Sequence, residues 1–168
     1  MKTLLYITFS LTFFQGLGQS ALQELLQRYN TRSVPYISVE ALRMFQQQGN
    51  RVVLDTRERN EYEVSHIQNA TFVGFSDFSE AEIDSILPNK ETPIVVYCSL
   101  GIRSEEIAEK LKKAGYTQVE NLYGGIFEWK NKGYPVVNSE NQPTDSIHGY
   151  SKSWSKWLHN GIIVIDQE

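Results

Sequence analysis

The chain has 168 residues, with 16 lysines and arginines against 20 acidic residues and a net charge of −4 at pH 7. A modestly acidic balance argues against a nucleic-acid groove, although it leaves room for one local positive pocket. One cysteine, Cys98, rules out an internal disulfide.

Met1 and Lys2 lead into an apolar and hydroxyl-bearing run, Thr3 to Phe14, followed by the small residues Gly16, Gly18, Ser20 and Ala21. A positive end, an apolar core and small residues near position 20 read as a secretory signal peptide over 1–20, too short to span a bilayer comfortably. The expectation is therefore an exported protein, periplasmic or secreted, with no stable membrane span after cleavage. What remains is the size of one ordinary domain.

Leu22, Leu25, Leu26 and Tyr29 recur at helical spacing and predict a helix over 21–29; with the polar linker after it, this makes a leading segment over 21–36. Tyr36-Ile37 reads as a brief strand, and Ser38 as the cap of a helix carrying Leu42, Met44 and Phe45 that Gly49-Asn50 closes. Val52-Val53-Leu54 is an unbroken apolar run, expected of a strand covered on both faces. Residues 58–64 read as a turn or two of helix, Thr71-Phe72-Val73 as a strand, and Ile83, Ile86 and Leu87 as a helix ended by Pro88. Pro93 to Tyr97 is the next buried strand, then a helix over 104–114 with Ile107, Ala108, Leu111 and Ala114 inward, stopped by Gly115. Val119 to Leu122 is another strand, and Gly124-Gly125 turns into a helix with Phe127 and Trp129. Residues 137–147 are polar and turn-rich; beyond them Trp154, Trp157 and Leu158 share a predicted helix face, and Ile162 to Ile165 look strand-like. These last residues, 137–168, are expected to dock back on the domain, because large aromatics usually bury.

Strands alternating with helices imply an α/β fold with a parallel sheet and helices on both faces. Ligands of such sheets bind beyond the carboxyl ends of the strands. Cys98 follows one such end and Asp55 another. Cys98 opens the segment Cys98-Ser99-Leu100-Gly101-Ile102-Arg103-Ser104, which runs from a strand through a tight loop into a helix. Backbone N–H groups converging there, with Arg103 adding a permanent charge, favour a thiolate. Gly101 lets the backbone curl without a Cβ clash. No histidine is placed by sequence beside Cys98.

Several segments together resemble single-domain rhodaneses, the sulfurtransferase family. They are Leu54-Asp55-Thr56-Arg57-Glu58, then Glu61-Tyr62 with Ser65-His66-Ile67 and Ala70, then Val95 through Ser104, and finally Leu122-Tyr123-Gly124-Gly125-Ile126 with Trp129. They cover roughly residues 37–136. The resemblance implies a rhodanese-like fold with a five-stranded parallel sheet. It implies a ping-pong reaction in which a donor leaves its outer sulfur on Cys98 and a thiophilic acceptor takes it, with Ser99, Leu100, Gly101, Ile102 and Arg103 lining the sulfur. It implies no metal and no organic cofactor. The partners are then a small sulfur donor and a thiophilic acceptor, or a protein thiol, with no nucleic acid.

Three positions depart from the family pattern: Ser99 stands where many thiosulfate-using members carry arginine, and Ser65 and Asn69 replace glycines near a turn. Asp55 is read as a carboxylate that braces the loop or pairs with Arg57, or as a cap for the following turn. Arg57 is read as reaching the pocket or pairing with Glu58 or Glu61, and His66 as a hydrogen-bonded structural residue. Two other functions fit less of the chain. One is a non-enzymatic sulfur-relay or redox-binding module. The other is a cysteine phosphatase or arsenate reductase, whose loop is longer than the four residues between Cys98 and Arg103.

Overall fold

The computed structural model describes residues 21–49 and 51–166. The expected signal peptide over 1–20, and Asn50 of the Gly49-Asn50 stop, lie outside the described residues. The chain divides into two compact units, Met1–Arg32 and Ser33–Glu168. In the first, residues 21–29 form helix α1, with Leu22 and Leu26 buried and Tyr29 exposed.

The second unit is built on five parallel strands in the order β1-β6-β5-β2-β4. These are β1 (Tyr36–Ile37), β2 (Val52–Asp55), β4 (Thr71–Phe72), β5 (Ile94–Tyr97) and β6 (Val119–Leu122). All four residues of β5 are buried, as an apolar strand with neighbours on both sides and helices on both faces requires. The helices are α2 (Val39–Gln48), α3 (Arg59–Val64), α4 (Glu80–Ile86), α5 (Arg103–Lys113) and α6 (Gly125–Asn131). Ser38 caps α2 by accepting the Ala41 N–H, and Gly49 ends it at φ 68°. Helix α5 presses Ile107, Ala108 and Leu111 onto Leu54, Ile94, Val96 and Val119, each pair of faces removing apolar surface from water.

Several short strands are not announced by the sequence pattern, while the last strand, Ile162–Val164, falls in the run expected to be strand-like. Strands β3 (His66–Ile67), β7 (Val136–Val137) and β8 (Pro143–Thr144) form a small antiparallel sheet, and β9 (Ser146–His148) pairs in parallel with β10 (Ile162–Val164). Much of the stretch expected to be polar loop is therefore strand. The expected helix around Trp154, Trp157 and Leu158 is instead one 3₁₀ turn, Ser155–Trp157. Asn131 of α6 holds this segment, its amide donating to Trp157 O at 2.9 Å and its Oδ1 accepting the His159 N–H at 2.7 Å.

The ends of β2 and β5 are locked by a buried polar cluster. Asp55 and Tyr97 are register partners, and the Tyr97 hydroxyl donates to Asp55 Oδ2 at 2.5 Å while accepting the Ile67 N–H at 3.1 Å. Arg57 lies wholly buried against the same carboxylate, donating through Nε at 3.0 Å and Nη2 at 2.6 Å, with Nη2 also reaching Ser65 O at 2.6 Å. Asp55 also accepts the Arg57 N–H at 3.0 Å, so it caps the turn and pairs with Arg57 at once. Arg57 reaches neither the surface nor Glu58. Burial pulls its pKa down, but the Asp55 charge and hydrogen bonds together with Tyr97 and Glu61 outweigh it, so the guanidinium keeps its proton beyond the ordinary arginine range. His66 stacks on Tyr62 at 3.9 Å between ring centroids, and burial holds its pKa below the usual value. Asn69 takes φ 64°, the left-handed turn conformation that asparagine tolerates best after glycine.

Removing one partner of a buried ion pair leaves the other charge stranded. Arg57→Ala is therefore expected to lower the unfolding free energy by about 3–5 kcal/mol, read by chemical denaturation. A loss below about 1 kcal/mol, the level of a surface pair, would show that Asp55 does not depend on Arg57.

Candidate functional site

Cys98 is the first residue after β5, at the carboxyl edge of the sheet, and is 2 % exposed. The chain leaves the central strand and must turn within five residues to enter α5 at Arg103. Gly101 makes that turn at φ 105°, where a Cβ would stand 3.2 Å from Leu122 O. Its N–H then points back at the thiol, with the nitrogen 3.1 Å from Cys98 Sγ.

Helix α6 holds the loop from the other side. Ile126 N donates to Cys98 O at 3.0 Å and Phe127 N to Ser99 O at 3.2 Å. This approach needs glycine at 125. A Cβ there would lie 2.3 Å from Cys98 O and 2.7 Å from Ser99 O, and the residue sits at φ 54°. Gly125 is thus a contact surface for the loop, while Gly124 caps the start of α6 at φ 71°.

Two side chains complete the sulfur's surroundings. The Ser104 hydroxyl lies 3.6 Å from Cys98 Sγ and 2.7 Å from Asn121 Oδ1. Asn121, wholly buried on β6, also donates from Nδ2 to Gly101 O at 2.8 Å. It therefore fixes the Gly101 peptide and the Ser104 hydroxyl together. Asn121 and Glu120 are the polar residues of Val119 to Leu122, and nothing in the sequence marks Asn121 as the buried one.

Arg103 extends its fork to Glu61 instead of the sulfur, with Nη1 to Oε2 at 2.6 Å and Nη2 to Oε1 at 2.8 Å. Ser99 joins the pair, its hydroxyl donating to Glu61 Oε1 at 3.0 Å and accepting from Arg103 Nη2 at 3.1 Å. Glu61 also accepts the Glu58 N–H at 3.0 Å, one half of the capping box of α3. A cation at the start of α5 is opposed by the helix dipole, and Glu61 supplies the compensating anion. Burial raises the Glu61 pKa, but its bonds to Arg103 and the Arg103 and Arg57 charges bring it below the ordinary carboxylate value.

Burial likewise pushes the Cys98 thiol up. The Arg103 charge, the Ser104 hydroxyl and the Ser104 and Gly101 amides pull it down further, so the net displacement is below the ordinary thiol value. The site thus shelters a sulfur whose anionic form is favoured, bordered by N–H and O–H donors that can also stabilise charge on a second sulfur atom bound to it.

Of the residues singled out from sequence, Cys98, Ser99, Leu100, Gly101, Ile102 and Arg103 fall in one loop. Gly101 faces the sulfur, Ser99 faces Glu61, and Leu100 is buried. Asp55 ends the adjacent strand and accepts a bond from Tyr97, the residue before the cysteine, and Arg57, two residues on, bonds to Asp55. Glu61, Ser104, Asn121 and Gly125 act in the site without having been assigned a role from sequence.

Residues 38–132 match the model of the rhodanese-like domain. Thiosulfate sulfurtransferase GlpE of Coxiella burnetii is 37% identical over 79 residues, which are 47% of this chain and 71% of that protein. The tRNA uridine(34) hydroxylase of Prochlorococcus marinus is 38% identical over 87 residues, 48% of this chain and 28% of the hydroxylase. Among solved structures, the rhodanese-like domain of the Anabaena protein Alr3790 superposes with a TM-score of 0.56 at 26% identity, covering 62% of this chain and 79% of that one.

Gly125→Ala tests the hold on the loop. Crowding two backbone carbonyls is expected to cost about 1–3 kcal/mol of stability. It should also slow Cys98 alkylation by iodoacetamide at neutral pH, because the donors around the sulfur move. An alkylation rate equal to that of the parent protein would show that α6 does not set the loop geometry.

Proposed function

We propose, from the premise that this chain belongs to the rhodanese-like domain family, that it is a sulfurtransferase working through a persulfide on Cys98. The observation that carries this reading is the Gly101 N–H aimed at a buried Cys98 sulfur whose pKa is held down by Arg103 and Ser104. Similarity to a thiosulfate sulfurtransferase supports the reaction class.

The cycle has two displacements. The Cys98 thiolate attacks the sulfane sulfur of a donor. The donor's bond to that sulfur breaks, and its electron pair leaves with sulfite, with a thiolate or, where mercaptopyruvate gives its carbon-bound sulfur, with the enolate of pyruvate. Cys98 now carries a terminal sulfur with negative charge, facing the Gly101 and Ser104 donors. An acceptor such as cyanide or a thiol attacks the terminal sulfur, and the sulfur–sulfur electron pair returns to Cys98. Electrons and atoms balance across the two steps, and the cycle calls for no cofactor. Asp55 and Arg57 support the loop indirectly, by fixing Tyr97. The apolar run before residue 21 supports an exported location, periplasmic or secreted, where a buried site protects a lone reactive thiol from mixed disulfides.

Incubation with thiosulfate, mercaptopyruvate or glutathione persulfide, followed by intact-mass analysis, tests the proposal. A gain of about 32 Da on Cys98, one sulfur on a low-pKa thiol, is expected with at least one donor. Cyanide should then remove it as thiocyanate, and Cys98→Ser should abolish both steps. A chain that gains no mass with any of the three donors is not a sulfurtransferase of this kind.

A further inference from the structure

The C-terminal extension reaches the active-site loop through one residue. The ring of Tyr150 stacks over the Arg103 guanidinium, 4.5 Å from Cζ to the ring centroid. Tyr150 lies beyond the matched domain, which ends at 132. Its placement is enforced by its own surroundings. It adopts φ 61°, a conformation an L-residue holds only when its neighbours demand it. Its N–H donates to His148 Nδ1 at 3.1 Å, and Gly149 N donates to Val164 O at 2.7 Å, so β9 and β10 both grip the turn. Gly149 leaves no slack, since a Cβ there would stand 3.0 Å from Ile163 Cγ2 and 3.0 Å from Ser155 Cβ.

The charge around Cys98 completes the picture. Arg103 is neutralised by a two-point bond to Glu61, and Arg57 by Asp55. The position after the cysteine is serine, so it adds no cation. With the thiol ionised, these groups leave a net negative charge at the loop. The Arg103 guanidinium also carries the half-exposed Tyr150 ring, whose own face is negative, with the Phe75 ring farther off at 6.0 Å.

We infer that Tyr150 is a specificity-determining residue which, with the Glu61–Arg103 pair beneath it, turns the site against small dianionic donors such as thiosulfate and toward sulfane sulfur carried on a thiol. This rests on the sulfur-transfer reading above and names the donor class for it. The terminal sulfur anion of a thiol-borne persulfide is bonded to an uncharged sulfur, whereas thiosulfate adds a second negative charge on the oxidised sulfur beside the reacting atom, so the persulfide meets less repulsion from the loop.

The test compares the parent protein with Tyr150→Ala and Tyr150→Phe. Tyr150 is 47 % exposed, so neither change opens the core. Turnover with thiosulfate and with glutathione persulfide is read as kcat/KM for each. The parent is expected to favour the persulfide. Tyr150→Ala should raise the thiosulfate value about three- to fivefold relative to the persulfide value, through KM, the scale of one exposed cation–π contact. Tyr150→Phe keeps the ring and should match the parent. An unchanged donor ratio in Tyr150→Ala, or a parent that prefers thiosulfate, overturns the inference. A second measurement stands apart from sulfur transfer. Cys98 alkylation by anionic iodoacetate is compared with that by neutral iodoacetamide, quantified by mass spectrometry. The iodoacetate-to-iodoacetamide ratio should rise in Tyr150→Ala and stay level in Tyr150→Phe. If no donor turns over but this ratio rises, the sulfur-transfer reading fails while the charge gate at Tyr150 stands. A ratio unaltered by loss of the ring removes the gate.

Discussion

Two backbone contacts, Ile126 N to Cys98 O and Phe127 N to Ser99 O, anchor the start of the loop that carries the Gly101 donor to the sulfur. A loop between a strand and a helix has many ways to turn, and most would point its amides at water. Here the carbonyls are taken up on one side by α6, so the Gly101 N–H is left facing inward. The contact distance allows no side chain at 125, and Gly124 before it caps the start of α6. The buried ends of β2 and β5 act from below. Asp55, Arg57 and Tyr97 bond only among themselves and to nearby backbone, so the last residue before Cys98 has little freedom.

Charge is arranged in the same economical way. Burial alone would keep Cys98 neutral and inert, as it does for most cysteines. Arg103 reverses that through space while its donors are spent on Glu61. Glu61 fixes the Arg103 charge near the sulfur while leaving no free guanidinium in the pocket. Such an arrangement activates a nucleophile and does little to attract a highly charged donor, so reactivity and donor choice are set by different residues.

The fold was legible where strands were apolar and unbroken. Val52-Val53-Leu54, Ile94 to Tyr97 and Val119 to Leu122 read as covered strands because every side chain in them except Glu120 and the buried Asn121 is hydrophobic or aromatic. Two-residue strands such as β3, β7 and β8 leave no period to detect, and their pairing is decided by contacts far along the chain. Trp154, Trp157 and Leu158 have helical spacing, but a serine- and lysine-rich segment of that length cannot nucleate a helix, and a single 3₁₀ turn forms instead. The nucleophile and its loop were legible because the chemistry is local, from Cys98 to Ser104. Glu61 bonds to Arg103 across 42 positions, and nothing in the sequence near either residue announces the pair. Tyr150 is further still from any local signal. It looks like one more aromatic in a polar tail until β9 and β10 bring it over Arg103.

The most direct measurement is the titration of Cys98 itself, followed by the ultraviolet absorbance of the thiolate in the parent protein and in Arg103→Met. The midpoint in the parent should fall below the ordinary thiol value of about 8.5, because donors and a cation favour the charged form. Losing Arg103 should move it up, since burial and the Glu61 charge are then opposed only by the Ser104 and Gly101 donors. A parent midpoint at or above the ordinary value, or one indifferent to Arg103, would mean that the loop encloses an inert thiol.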